Sequence, residues 1–237
     1  MGLIYLLLTP AVLKVIAAVI PAAYLLKYVY DSDKLEKEPQ SLLKALVVAG
    51  IFSTAIAMLL EYVGEGQLNA SGLDPQSTKY NVILYFGIVG VAEEGAKYIM
   101  LRVKTWRSSE FNCQYDATVY AVFISLGFAL WENITYVFTY GISVAFVRAV
   151  TAIPGHACFG VFMGLWYGAA RHMANEGKHV AAFVCNLMAL VLPMLIHGMY
   201  DYIATMGSTS VFFIFIAIMF YASFRIVKRG SEHDRPI

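Results

Sequence analysis

The sequence predicts an all-α polytopic membrane helix bundle of about seven transmembrane helices, built as a single membrane domain over residues 1–237. Three observations predict this class. The chain is 59% hydrophobic and only 14% charged, whereas soluble domains carry about 25% charged residues. Its apolar runs are long enough to cross a bilayer as helices. The formal net charge of +1 provides no basic surface for nucleic acid, so no nucleic-acid partner is expected.

Seven apolar spans follow one another along the chain, with short polar loops between them. They cover about 3–28, 41–63, 80–101, 114–140, 143–170, 179–203 and 210–226. The first run is longer than a signal-peptide core of roughly 7–15 residues, so it is expected to be a retained first helix. Residues 1–63 then supply two helices ahead of the polar spans. Residues 228–237 are expected to form a flexible tail.

Basic residues predict the orientation of the bundle. The first, third and fifth loops and the C-terminal tail are rich in lysine and arginine, and the other loops are not. Basic loops stay in the cytoplasm. The sequence therefore predicts an integral protein of the cell membrane, with an extracytoplasmic N-terminus and a cytoplasmic C-terminus.

The third span carries three ionisable side chains near its middle: Glu93, Glu94 and Lys97. Each charge at the centre of a membrane helix costs roughly 2.5–3.5 kcal/mol, so a simple anchor would not contain them. Helical spacing places Glu93 and Lys97 one turn apart, where they can pair. The remaining carboxylate is then a candidate general base. The alternative is a buried ion pair that fixes helix packing.

The fourth and fifth spans add further polar side chains. Glu132 and Tyr136 lie four residues apart on one face, where a phenol can hydrogen-bond a carboxylate or a developing oxyanion. In the fifth span Pro154 interrupts the helix just before His156 and is expected to kink it. Beyond His156, a glycine recurs every fourth residue and allows close approach of another helix. These glycines are Gly160, Gly164 and Gly168.

The sixth span places His197 and Asp201 one turn apart. This spacing suits two metal ligands on one helix, and it equally suits an aspartate that orients a catalytic histidine. Asp116 and Glu61 lie near helix ends and are expected to be solvated or capping residues. At a rise of 1.5 Å per residue, the polar groups of all four spans reach a similar depth in the outer half of the bundle.

Four motifs in order resemble those of the PrsW family of intramembrane proteases. They are Glu93-Glu94-Gly95-Ala96-Lys97, Glu132-Asn133-Ile134-Thr135-Tyr136, Pro154-Gly155-His156 and His197-Gly198-Met199-Tyr200-Asp201. The resemblance covers a catalytic core of about 80–203. It implies peptide hydrolysis within or beside the membrane, on a membrane-anchored substrate such as an anti-sigma-factor-like protein. The family is grouped with metallopeptidases, whereas the similar CAAX prenyl proteases look like glutamate enzymes that need no metal.

We therefore expect a membrane-embedded peptidase in which glutamate activates water with help from histidine or a metal. The catalytic candidates are Glu93, Glu94, Glu132, His156 and His197. Zinc held by His156, His197 and Asp201 and a metal-free site both remain open, because no HExxH motif is present. A proton-coupled transporter or channel would also carry such groups, and a non-catalytic scaffold of the same fold is a further alternative.

Overall fold

The computed structural model describes residues 10–237, and these residues form a bundle of helices. The expected start of the first span, 3–9, lies outside the described residues. Nine α-helices and one π-helical stretch follow in order. They are α1 (Pro10–Ser32), α2 (Gln40–Ala70), α3 (Thr78–Val82), the π-helix (Ile83–Val89), α4 (Gly90–Thr105), α5 (Asp116–Tyr140), α6 (Ile142–Val150), α7 (Ala152–Asn175), α8 (His179–Met206) and α9 (Thr209–Glu232).

These elements group into seven nearly continuous helical segments, which agrees with the seven spans expected from the sequence. Six of the segments are long and apolar enough to cross a membrane, with α6 and α7 together making one of them. The remaining segment runs from α3 through the π-helix into α4 and carries Glu93, Glu94 and Lys97. Its longest regular element, α4, has 16 residues. The chain is therefore an integral membrane protein.

Helix α5 forms the centre of the bundle. Nearly every residue in its first half is buried, and α2 and α7 pack closely along it. Glycine makes both contacts possible. A Cβ at Gly127 would lie 2.2 Å from the carbonyl oxygen of Val47 on α2, and a Cβ at Gly164 would lie 2.4 Å from the Cα of Thr118. The expected close approach along the glycine stripe of α7 is thus present, and its partner is α5.

The break in the fifth span falls slightly earlier than expected. Thr151 separates α6 from α7 with φ −122° and ψ −76°, and Pro154 occupies the first turn of α7. A proline there loses no helical hydrogen bond, because the first backbone N–H groups of a helix have no internal partner. Thr151 accepts a hydrogen bond from the backbone N–H of Gly155 at 2.8 Å. The kink therefore places His156 in the second turn of a new helix.

The C-terminal segment differs from the flexible tail expected over 228–237. Helix α9 continues to Glu232, and the last residues pair with the loop that precedes α5. Cys113 and Pro236 form an isolated antiparallel bridge, and Ile237 donates its backbone N–H to Asn112 at 2.8 Å. Backbone hydrogen bonds and the packing of Ile237 against the core hold these residues at the end of the bundle.

Candidate active site

The π-helix brings α4 against α8 one turn before the paired glutamates. Its wider turn closes where the backbone N–H of Gly90 donates to Tyr85. A Cβ at Gly90 would lie 2.7 Å from the carbonyl oxygen of Met194 on α8, so only glycine allows this approach. π-Helical turns inside helices occur frequently at functional sites. The result is that Glu93 and Glu94 face α8 at the level of His197.

Lys97 is completely buried at the centre of the site. Its Nζ lies 2.7 Å from Glu94 Oε1, 3.3 Å from Glu93 Oε2 and 3.0 Å from His156 Nδ1. It also lies 3.9 Å from the centre of the Phe128 ring. The sequence predicted a pair between Glu93 and Lys97, but Glu94 makes the shorter contact.

His197 links α8 to the same pair of glutamates. Its Nδ1 lies 2.9 Å from Glu94 Oε1 and 3.8 Å from Glu93 Oε2, and its Nε2 lies 3.4 Å from Asp201 Oδ2. The ring stacks on Phe159 with centroids 4.6 Å apart. The carboxylate of Glu94 accepts, so Nδ1 of His197 is the donor in their hydrogen bond. Glu94 and Asp201 therefore hold the imidazole from opposite sides.

His156 is held just as firmly from its own two sides. Its Nε2 lies 2.8 Å from Glu132 Oε2, while its Nδ1 faces Lys97. An ammonium can only donate, so Nδ1 of His156 accepts a hydrogen bond from Lys97. Nε2 then carries the ring proton and donates a hydrogen bond to Glu132. Arg148 also contacts Glu132 Oε2, through Nη2 at 2.9 Å. The guanidinium lies 4.0 Å from the ring centre of Tyr136, so Tyr136 supports Arg148.

The structure brings all five predicted catalytic residues into one cluster. The imidazole rings of His156 and His197 are 5.3 Å apart between centroids. A cavity of about 420 Å³ opens onto four of the five residues and onto Asp201. The four are Glu93, Glu132, His156 and His197. Glu94 lies behind them with no exposed surface.

Two further residues of the site were not singled out as functional by the sequence. Glu61 of α2, expected to be solvated or capping, is half-buried and lines the cavity beside Glu93. Arg148 of α6 lines the same cavity and binds Glu132. The signal for Glu61 in the sequence was its helical spacing from Thr54 and Ala57, which places all three on one face of α2. In the structure these three residues line a second cavity.

Four side chains of the cluster are suited to hold a metal ion. Glu93, Glu94, His156 and His197 each offer one ligand atom, and these atoms all lie within 4.8 Å of one another. Two imidazoles with carboxylates form a donor set that zinc favours. Glu94 Oε2 is buried without a hydrogen-bond partner, so this oxygen is available to bind a cation. Asp201, a candidate ligand from its spacing to His197, lies outside this set. Its Oδ2 contacts Nε2 of His197.

Comparison with known proteins agrees with this site. The family model "PrsW family intramembrane metalloprotease" matches residues 38–226. Protease PrsW of Bacillus subtilis (strain 168) is 30% identical over 218 residues, covering 91% of this chain and 94% of that protein. Protease PrsW of Oceanobacillus iheyensis is 32% identical over 220 residues, covering 92% and 95%.

A third relative extends the match to nearly its whole length. Protease PrsW of Halalkalibacterium halodurans is 32% identical over 222 residues, covering 92% of this chain and 97% of that protein. No solved structure is significantly similar to the chain. The family model covers well over half of the chain, and it includes every residue of the cluster. The chain therefore belongs to the PrsW family of intramembrane metalloproteases and is a membrane-embedded peptidase.

Proposed function

We propose that Glu93 is the general base that activates water for hydrolysis of a peptide bond. The observation that carries this assignment is the different placement of the two adjacent glutamates. Glu93 lines the cavity, where water and substrate can reach it. Glu94 is fully buried, and its Oε1 is engaged by Lys97 and His197. Without a metal, Glu94 is therefore a positioning residue that orients His197 and balances the lysine.

The two histidines lie where the substrate carbonyl would be polarised. Asp201 and Glu94 fix the plane of His197, and Glu132 with Lys97 fixes that of His156. Because both rings are fixed beforehand, either could stabilise a developing oxyanion with little reorganisation once its N–H is released from its carboxylate partner. Arg148 keeps Glu132 in place, so it acts on His156 through that carboxylate.

We further propose Zn²⁺ as the metal implied by the family, held by Glu94, His156 and His197. Catalytic zinc commonly has three protein ligands and one open position. The unpartnered Glu94 Oε2 supports this assignment. When bound, zinc would supply a Lewis acid for the carbonyl and lower the pKa of water. Lys97 would have to release His156 Nδ1, which it contacts at 3.0 Å.

The substrate reaches the site from the bilayer. A second cavity of about 200 Å³ lies between α2 and α5 and shares Glu61, Glu93 and Glu132 with the main cavity. Its outer part is lined by exposed apolar residues, Met58 and Trp131. An apolar helix can approach through such an opening without exposing its backbone to lipid. We propose a membrane-anchored protein substrate of the anti-sigma-factor type.

The test of the catalytic assignment uses purified protein and a membrane-spanning peptide in liposomes. Glu93→Gln should lower the turnover number by about 10²–10⁴-fold, because it removes the general base but keeps the shape of the side chain. Mass spectrometry of the fragments identifies the cleaved bond. The matched control is Glu65→Gln, an acid at the mouth of the same cavity. Full activity of Glu93→Gln would refute the assignment, and ion flux without cleavage would favour a transporter.

The test of the metal uses elemental analysis of the same preparation. His197→Ala should lose bound zinc, while Asp201→Asn should retain most of it, because Asp201 is not among the proposed ligands. Circular dichroism verifies that both variants are folded. Full peptidase activity of chelated, metal-free wild-type protein would exclude zinc catalysis. The glutamate and histidine assignments would remain testable by their own variants.

A further inference from the structure

A second cluster of acidic side chains lies at the opposite end of the bundle from the peptidase cavity. Asp33 and Glu38 belong to the loop between α1 and α2, and Asp116 begins α5. Each offers a carboxylate oxygen, and these oxygens lie within 4.8 Å of one another. All three residues are at least 98% buried. Asp116 was expected to be solvated or capping, so its burial here overturns that expectation.

The oxygens of this cluster are buried without hydrogen-bond partners. Both carboxylate oxygens of Asp33, both of Glu38 and Oδ1 of Asp116 have none. Asp116 Oδ2 is used locally, because it accepts from the backbone N–H groups of Asn112 and Cys113. Five carboxylate oxygens of the cluster therefore have no hydrogen-bond partner. A buried carboxylate is normally paired, hydrogen-bonded or bound to a metal.

Two neighbouring donors, Lys37 and Tyr120, lie close enough to lower the pKa of Asp33 and Glu38, but both hydrogen-bond backbone carbonyl oxygens. The ammonium of Lys37 lies close by, but it donates to the backbone carbonyl oxygens of Tyr30, at 2.5 Å, and Asp33. The Tyr120 hydroxyl, beside Glu38, donates to the carbonyl oxygen of Glu110 at 3.0 Å. Burial raises the pKa of Asp33 to about 6 and that of Glu38 to about 7. Burial thus disfavours the charged forms of these acids, and a bound cation would favour them.

We propose that Asp33, Glu38 and Asp116 bind one divalent cation that prefers oxygen ligands, Ca²⁺ or Mg²⁺. Carboxylates without thiolate or imidazole select hard cations of this kind over zinc. The three residues are buried, and calcium gives up its water more readily than magnesium, so Ca²⁺ is the better fit. Asp234 stands beside the cluster with Oδ2 unpartnered and adds negative charge there.

The cation would join two parts of the chain that are distant in sequence. It would tie the loop between α1 and α2 to the start of α5, the helix that carries Glu132 at its other end. The same region already contacts the C-terminal segment, because Asp234 accepts from the backbone N–H of Tyr115 at 2.8 Å. Binding should therefore stabilise the packing of α1 and α2 on the catalytic core. This inference does not rest on the proposed catalytic mechanism.

The experiment measures thermal unfolding of chelated, full-length protein in detergent during titration with CaCl₂ or MgCl₂. The wild-type Tm should rise and saturate with at least one of the two ions. Asp33→Asn and Glu38→Gln should each weaken the apparent affinity about tenfold or more, since each replaces a charged carboxylate ligand with a neutral amide. The matched control is Asp31→Asn, an exposed acid two residues away that pairs with Lys27. It should keep the wild-type shift.

His197→Ala separates this cation from the metal of the peptidase site. It should keep the Ca²⁺ or Mg²⁺ shift, because it lies in the other cluster. Absence of a saturable shift up to about 10 mM of either ion, roughly ten times the weakest protein calcium sites, would overturn the proposal. An unchanged shift in Asp33→Asn and Glu38→Gln would do the same.

Two further outcomes are decided within the same design. If neutral variants are more stable than a wild type that ignores both cations, the acids share protons and the proposal is wrong. If Asp33→Asn fails to fold, the Tm shift of Glu38→Gln and equilibrium dialysis of the wild type with ⁴⁵Ca²⁺ decide whether the cluster binds a cation. Dialysis should find one saturable ion per chain in the presence of excess zinc.

Discussion

At the scale of single residues, the site depends on a buried lysine that balances several groups. Lys97 contacts both glutamates and His156 with no exposed surface. A buried pair adds little net stability compared with an apolar replacement, but the loss of one partner leaves an uncompensated charge. The value of Lys97 is therefore conformational, because it fixes which oxygen of each glutamate faces the cavity.

Removal of one partner tests this role. Lys97→Met should lower the free energy of unfolding by about 3–5 kcal/mol, because it leaves Glu94 charged and buried. The double variant Lys97→Met, Glu94→Gln should lose less than the sum of the two single changes, by about 0.5–3 kcal/mol. Reversible thermal unfolding in detergent measures the free energy of unfolding of the wild type, the two single variants and the double variant.

The control is the exposed pair formed by Lys27 and Asp31, whose atoms lie 2.5 Å apart at the end of α1. The same cycle on this pair should give a coupling of about 0–1 kcal/mol. Equal coupling in both pairs would contradict a special role for Lys97. Additive losses at Lys97 and Glu94 would show that the two groups do not interact.

At the scale of helices, glycine determines how closely α7 lies on α5. A Cβ at Gly160 would lie 2.8 Å from Ser125 Oγ, and one at Gly168 would lie 2.5 Å from the carbonyl oxygen of Gln114. Both contacts meet α5 or the residues just before it. The separation of α5 and α7 sets the distance between Glu132 and His156, so the glycine stripe reaches the catalytic site through the backbone.

Gly164→Ala should therefore destabilise the protein and weaken activity. Its Cβ would meet the Thr118 Cα at 2.4 Å, and such overpacking costs about 1–3 kcal/mol. The matched control is Gly66→Ala on α2, where a Cβ would meet nothing within 4 Å. That change should be neutral or stabilise by up to about 1 kcal/mol, since alanine favours helix. Comparable losses of unfolding temperature in Gly164→Ala and Gly66→Ala would refute the packing argument.

At the scale of the whole molecule, the basic loops share one end of the bundle. The loop between α1 and α2 contacts the loop before α5 through Glu36 and Asn112, at 2.8 Å. The loop before α5 in turn binds the C-terminal segment, where the backbone carbonyl oxygen of Arg235 accepts a hydrogen bond from the backbone N–H of Gln114 at 3.0 Å. We propose that this end faces the cytoplasm, as lysine and arginine in short loops indicate.

Cysteine labelling tests the orientation. Ser71→Cys lies beyond α2, whose 31 residues span about 46 Å, and Ser109→Cys lies in the loop before α5. In a background without the three native cysteines, a membrane-impermeant maleimide should label Ser71→Cys in intact cells. Ser109→Cys should react only in permeabilised cells. Labelling of both positions from the same side would contradict the topology.

The sequence alone determined the membrane class, the seven segments and the identity of the polar cluster. Apolar length and internal charge carry this information, because lipid penalises every unpaired polar group. Four motifs on separate spans were therefore sufficient to predict that Glu93, Glu132, His156 and His197 meet. The sequence also indicated where the helices could approach, through the regular spacing of the glycines on α7.

Only the tertiary structure decided how these residues divide the work. Glu93 and Glu94 are adjacent in sequence, and only packing against α8 shows that one faces the cavity and the other is buried. The partners of Glu132, and the place of Glu61 in the cavity, come from helices far apart in the chain. Asp33, Glu38 and Asp116 looked like ordinary loop and helix-end acids. Their burial in one cluster depends on how α1, α2 and α5 pack, which local spacing does not encode.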